Sequence, residues 1–125
     1  MGQSMKPKAV ATFQPRIRVL RGKDIAMGPG KADLLEQVAK HGSIAEAAGH
    51  LGMSYMRAWT LIKTMERCFA QPLVTVSRGG AAHGGAQLTA NGRKVVALYR
   101  GMEKKSLSAT ADMRAQMSRL LRGES

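Results

Sequence analysis

The side chains best suited to ligate a metal or attack a substrate are His41, His50, His83 and Cys68, and their spacing serves neither chemistry. They are scattered, whereas a zinc site draws its ligands from closely spaced pairs. Cys68 falls near the end of an amphipathic stretch, where a thiol reads as a small hydrophobe rather than a nucleophile. The run Gly79–Gly85 is glycine-rich, but no Lys-Ser/Thr pair follows it, so it is not a phosphate-cradling loop. Paired carboxylates are absent. The sequence therefore predicts no enzyme, no metal and no cofactor. The chemistry that remains is recognition, and it gathers in six residues within positions 54–63: Ser54, Tyr55, Met56, Arg57, Thr60 and Lys63. Arg57 can read guanine or hold a phosphate, and Tyr55, Met56 and Thr60 fall near one helical face. Ser54 can cap the helix and touch phosphate, and Lys63, farther along, suits the backbone. Trp59 reads as partly buried packing, because a duplex hides its base faces.

Those residues need a helix held out from a small core, and the flanking sequence predicts one. Ser43-Ile44-Ala45-Glu46 has the pattern of a capping box, with the Glu46 carboxylate able to reach back. A short helix runs to about Leu51, Gly52 breaks it, and a second helix runs from Ser54 to about Phe69. Ala48 supplies the small residue that lets two helices approach, and Gly52 the tight turn four residues on. Ala47, Leu51, Met53, Ala58 and Leu61 bind the pair together. Segment 44–63 thus reads as a helix-turn-helix.

Around it, residues 1–14 are expected to form a disordered arm, and Arg16-Ile17-Arg18-Val19 a half-buried strand followed by a turn at 21–24. A helix is predicted over about 30–40, with Pro29 at its start, Leu34, Leu35, Val38 and Ala39 on its apolar side, and Gly42 as its cap. Leu73–Val76 and Ala86–Leu88 read as paired strands, a wing whose tip carries Arg78 and His83. Thr89 caps a last helix that can run from about Ala90 to Leu121, on the order of 45 Å at 1.5 Å per residue. Val95, Tyr99, Met102, Ser106, Ala109, Met113 and Leu120 follow a near-heptad spacing along it, which predicts a dimer seam. The expected fold class is mainly α with a small β-hairpin wing, a winged helix-turn-helix with a long C-terminal dimerisation helix. The expected divisions are an arm 1–14, a DNA-binding domain 15–89, a dimerisation helix 90–121 and a tail 122–125.

Charge names the partner. Twenty Lys and Arg against eight Asp and Glu leave +12, and such an excess draws polyanions, nucleic acid above all. The excess is +5 over residues 1–41 and +6 over 67–105, flanking a neutral middle, so it is not a basic tail alone. No apolar run is long enough to span a membrane and the N-terminus has no signal-peptide core, which predicts a cytoplasmic, nucleoid-associated protein. With 4% aromatic residues and nine Met, the core is expected to be aliphatic and adaptable.

The residues from Gly42 to Trp59, including Gly-Ser-Ile-Ala-Glu-Ala-Ala and Ser-Tyr-Met-Arg-Ala-Trp, resemble the DNA-binding domain of ModE-type molybdate-responsive regulators. Gly84-Gly85-Ala86-Gln87-Leu88-Thr89-Ala90-Asn91-Gly92 resembles the wing-to-helix junction of that family and of LysR-type regulators. The resemblance covers about residues 17–105. It implies a homodimer on an inverted-repeat operator in double-stranded DNA. It implies no molybdate site here, since the family's oxyanion-binding region would follow the last helix and the sequence ends at Ser125. The alternative is a dimerising interaction module that modulates full-length regulators, with weak or no DNA binding of its own.

Overall fold

A computed structural model of the chain describes residues 11–77 and 84–123. Two strands, β1 (Val19–Arg21) and β2 (Asp24–Met27), form an antiparallel hairpin and lead into three helices, α1 (Pro29–His41), α2 (Ile44–His50) and α3 (Tyr55–Cys68). A second antiparallel hairpin, β3 (Val74–Ser77) and β4 (Gly85–Leu88), follows in the register Val74–Leu88 to Ser77–Gly85. Helices α4 (Ala90–Ala109) and α5 (Ala111–Leu120) complete the chain. This is a winged helix-turn-helix.

The local reasons are those the residue types supply. Pro29 opens α1, and the Gly42 amide donates to the Val38 carbonyl to close it. The Ser43 hydroxyl accepts from the Glu46 amide at 2.9 Å and the Ser54 hydroxyl from the Arg57 amide at 3.1 Å. Only this arm of the capping box forms, for no bond from the Ser43 amide to the Glu46 carboxylate accompanies it. Gly52 sits at φ +68°, a left-handed turn that glycine enters without steric cost, and the Met53 amide folds back onto the Ala48 carbonyl at 3.0 Å.

Ala32, Leu34, Leu35, Val38, Ala47, Ala58, Leu73 and Met27 are almost or wholly shielded from solvent, and Ile62 and Met65 join them from α3. Leu51, Met53, Leu61 and Trp59 pack against this cluster from its rim. Two expectations change. Ala39 is exposed and Ala32 takes its place on the buried side of α1. The first strand begins at Val19, not Arg16, and its three residues are all exposed. Residues 16–18 instead run past α4, where the Tyr99 hydroxyl donates to the Ile17 carbonyl at 2.7 Å.

Helix α4 is set by one close approach. Thr89 donates to the Pro72 carbonyl at 2.6 Å and accepts from the Gly92 amide at 2.9 Å. A Cβ on Gly92 would stand 2.1 Å from the Leu73 carbonyl oxygen, so the helix start can lie against the wing only because residue 92 has no side chain. Farther along, the single helix expected to Leu121 is interrupted at Thr110. The Thr110 hydroxyl donates to the Ser106 carbonyl at 2.7 Å, and the Arg114 guanidinium to the Leu107 carbonyl at 2.6 Å. Side chains thus share the Ser106 carbonyl with the Thr110 amide and occupy the Leu107 carbonyl, in a Ser- and Thr-rich stretch with weak helical preference.

Candidate nucleic-acid interface

Helix α3 presents two faces. Ala58, Ile62 and Met65 are buried, and they pin the helix to α1 and α2. Ser54, Tyr55, Met56, Arg57, Thr60 and Lys63 are all exposed, so the six recognition residues read from sequence fall on the free surface of one element. Met56 is 66% exposed, an apolar side chain held in water at the start of a helix. Down the same face, the Tyr55 and Trp59 rings lie nearly parallel with centroids 6.4 Å apart, and the Lys63 ammonium stands 4.4 Å above the Trp59 ring. Trp59 is half-buried, as expected, and acts as the spacer that holds Tyr55 and Lys63 upright. The Thr60 hydroxyl donates to the Met56 carbonyl at 2.8 Å, which turns its methyl group outward.

Electrostatics leaves this face positive. Arg100 takes three of the eight carboxylates, with Asp33 at 2.5 Å, Glu36 at 2.6 Å and Glu103 at 2.9 Å. Its guanidinium is held well above its usual range, first by the hydrogen bond to Glu36. Glu66 is spent on the wing, accepting from the Leu73 amide at 3.1 Å and the Val74 amide at 3.2 Å. Among the described residues every ion pair involves Arg100, so Arg57, Lys63 and Arg67 have no carboxylate in salt-bridge range. Sequence reasoning counted Arg100 and Glu66 as charges and missed both roles, because each joins elements far apart in the chain.

The wing hairpin is tied to the end of α1, where the Ala86 amide of β4 donates to the Gly42 carbonyl at 2.8 Å. Arg78 and His83, expected at its tip, lie outside the described residues. The seam expected on the last helix divides. Tyr99 is 2% exposed and serves its own domain, so its assignment to a dimer seam is corrected, while Val95 is half-buried at the rim of the same core. Burial also raises the Tyr99 hydroxyl above its ordinary pKa, with Glu103 acting in the same direction. Met102 and Ala109 are exposed on α4, and Met113 and Leu120, 71% and 83% exposed, on α5. Leu98, Met117 and Leu121 are exposed apolar residues that the heptad reading passed over. Met113, Met117 and Leu120 follow the i, i+4, i+7 spacing of one helical face, and Leu121 follows as the extended residue after the helix.

No helix among the described residues is long and apolar enough to cross a membrane, and no group of three or more His, Cys, Asp or Glu among them is placed to hold a metal.

The arrangement of three helices, wing and following helix is the one found in bacterial regulatory helix-turn-helix proteins. Residues 31–93 match the lysR family of those proteins, and the chain belongs to that family. Within it, the helix-turn-helix is of the ModE type. Molybdenum-pterin-binding protein MopB of Rhodobacter capsulatus is 40% identical over 85 residues, which are 68% of this chain and 32% of that protein. Molybdenum transport protein ModE of Azotobacter vinelandii is 36% identical over 99 residues, 79% of this chain and 37% of that protein. The chain therefore spans about a third of the length of these curated relatives. The crystal structure of full-length CbnR complexed with target DNA shares the fold, with a TM-score of 0.50 and 22% identity over 70% of this chain and 28% of that one.

Proposed function

We propose that this chain is a transcriptional regulator that binds double-stranded DNA as a homodimer, placing α3 in the major groove of each half of an inverted repeat. The observation that carries the reading is the free face of α3, where Tyr55, Met56, Arg57, Thr60 and Lys63 stand exposed above a buried apolar face, with no carboxylate paired to the cations. An α-helix of this width enters the major groove and meets base edges with its first turns. The lysR-family match and the DNA-bound state of CbnR support the same partner. The exposed Met113, Met117 and Leu120 of α5, with Leu121 just after it, supply the pairing surface that an inverted repeat needs.

Selection of duplexes from a random pool tests the reading. The wild-type chain is expected to enrich an inverted repeat, and alanine at Tyr55, Met56, Arg57 and Thr60 to alter or abolish the motif. An unchanged motif would remove α3 as the reader. A wild-type chain that enriches nothing would favour the second reading, a dimerising module acting on longer regulators, which draws on the same apolar face of α5.

A further inference from the structure

The segment ahead of β1 lies along the C-terminal helices as an extended chain. From residue 11 to residue 18 its side chains alternate, with Ala11, Phe13, Pro15 and Ile17 half-buried and those between them exposed. A period of two is what a chain laid flat on a surface shows. Pro15 stiffens the segment, because its ring fixes its own backbone and biases Gln14 toward an extended one. Both ends of the run 13–17 are tied. At one end Ile17 packs on the core, and its carbonyl accepts at 2.7 Å from the hydroxyl of Tyr99, itself only 2% exposed. At the other end the Arg114 guanidinium stands over the Phe13 ring, 5.4 Å from its centroid and within cation–π range.

Arg114 belongs to α5 and gathers the joint where that helix begins. Its Nε donates to the Thr110 hydroxyl at 3.2 Å and its Nη2 to the Leu107 carbonyl at 2.6 Å. One guanidinium therefore joins the end of α4, the interruption at Thr110 and the segment before β1. Within α5, Arg114 and Ser118 are half-buried and the other residues exposed. The helix is thus held to the head in two ways, through the interrupted helix at Thr110 and through residues 13–17. A hinge alone leaves an angle free, and a second tie beyond the hinge fixes it.

We propose that residues 13–17 are a strut that sets the bearing of α5 on the head, and with it the spacing of half-sites that two paired chains accept. Phe13 and Arg114 are its positioning residues, acting through α5 rather than on DNA. The spacing claim rests on the reading of α5 as the pairing helix of a dimer on an inverted repeat. The lever is long enough to matter. From Thr110 to Leu120 the helix extends about 15 Å, so a swing of about 15° moves its far end by about 4 Å. Base pairs lie about 3.4 Å apart along the duplex. A change of bearing too small to disturb the core of the head thus moves the partner's recognition helix by a base pair.

The test measures binding of the full chain to its selected inverted repeat with the spacer at its optimum and one or two base pairs longer or shorter. The wild type is expected to lose on the order of 10-fold in affinity for a one-pair change, because each pair also turns the second half-site by about 35° around the duplex. Phe13→Ala is expected to cut that loss to about 3-fold, with affinity for a single half-site unchanged. Arg114→Gln is expected to do the same, and the two together to do no more, since both remove one contact. Phe13→Tyr keeps the ring and is expected to restore the wild-type profile. A profile as sharp in Phe13→Ala as in the wild type would overturn the proposal. So would weaker binding to every spacer and to the single half-site alike, which is what lost stability produces. The strut is also read without DNA, from the distance between spin labels at Lys23→Cys on the exposed β1–β2 turn and Arg119→Cys on α5, in a Cys68→Ser chain diluted into unlabelled chain. A narrow distribution that broadens in Phe13→Ala is expected, and equal widths would overturn the strut. A wild-type chain that binds one half-site as tightly as the repeat would overturn the pairing reading and the spacing claim with it, whereas the label distances judge the strut by itself.

Discussion

The helical head and the C-terminal helix of this molecule follow opposite rules. In α1 and α2 the large apolar side chains turn inward, as do Ile62 and Met65 of α3, and Leu34, Leu35 and Val38 are fully shielded. In α5 nothing is buried, while Met113, Met117 and Leu120 stand in water. A ten-residue helix with no buried side chain has little to hold it, since isolated helices shorter than about 12–15 residues are marginal in water. The head therefore has a buried core of its own, and α5 has none. The same contrast recurs in charge. Arg100 knits α4 to α1 through Asp33 and Glu36 and holds Glu103 within α4, whereas among the described residues the cations of α3 make no salt bridge. Interactions satisfied within the chain mark its scaffold, and those left open mark where partners are expected.

The sharpest way to break the comparison is at the joint between its halves. Gly92→Ala drives a methyl group into the Leu73 backbone, which cannot yield as a side-chain tip would. It is expected to destabilise the head by about 3 kcal/mol or more, read as a fall in the urea midpoint. A stability loss under 0.5 kcal/mol would show that α4 is free to slide from the wing.

Met113→Glu with Leu120→Glu should do the reverse. Both residues are exposed, so the monomer is expected to keep its thermal midpoint at high dilution. Its DNA affinity is expected to fall on the order of 100-fold as the second half-site is lost. A drop in the stability of the isolated head would place α5 in the scaffold after all.

Arg100→Ala measures the middle of the scale. Its guanidinium is 27% exposed, and Asp33 and Glu36 are about half exposed, so screening limits the loss to about 1 kcal/mol. Urea unfolding at low salt detects this, and a loss that persists unchanged at high salt would assign the effect to packing of the stem. Thr110→Ala is the mildest change. It removes a side-chain bond that competes for the Ser106 and Leu107 carbonyls and improves helical preference, so helical content by far-ultraviolet circular dichroism is expected to rise slightly with stability within about 0.5 kcal/mol. A fall in helicity would mean that Thr110 supports α5 rather than interrupting it.

What could be read from sequence was local. Ser43, Ser54 and Thr89 announce helix starts because a cap acts within three residues, and Gly52 announces the turn because few residues tolerate its backbone. The exposed half of α3 followed from the same periodicity that buries Ala58 and Ile62. What stayed hidden spans the fold. The Glu66 link to the wing, the Arg100 hub and the Tyr99 bond to Ile17 join residues that periodicity cannot bring together. The seam over-counted for a related reason: Tyr99 fits a heptad, yet the core of its own domain reaches that far along α4. The break at Thr110 depends on Arg114 reaching back seven residues to the Leu107 carbonyl, and spacing rules for continuous helices do not contain that bond.

The central claim is that a self-sufficient head reads DNA while α5 pairs two heads. Sedimentation equilibrium of the chain on a duplex carrying its selected sequence tests both parts together. The account predicts a complex of two chains per duplex, formed cooperatively and dependent on both half-sites. Saturation at one chain per duplex, with the second half-site dispensable, would contradict it.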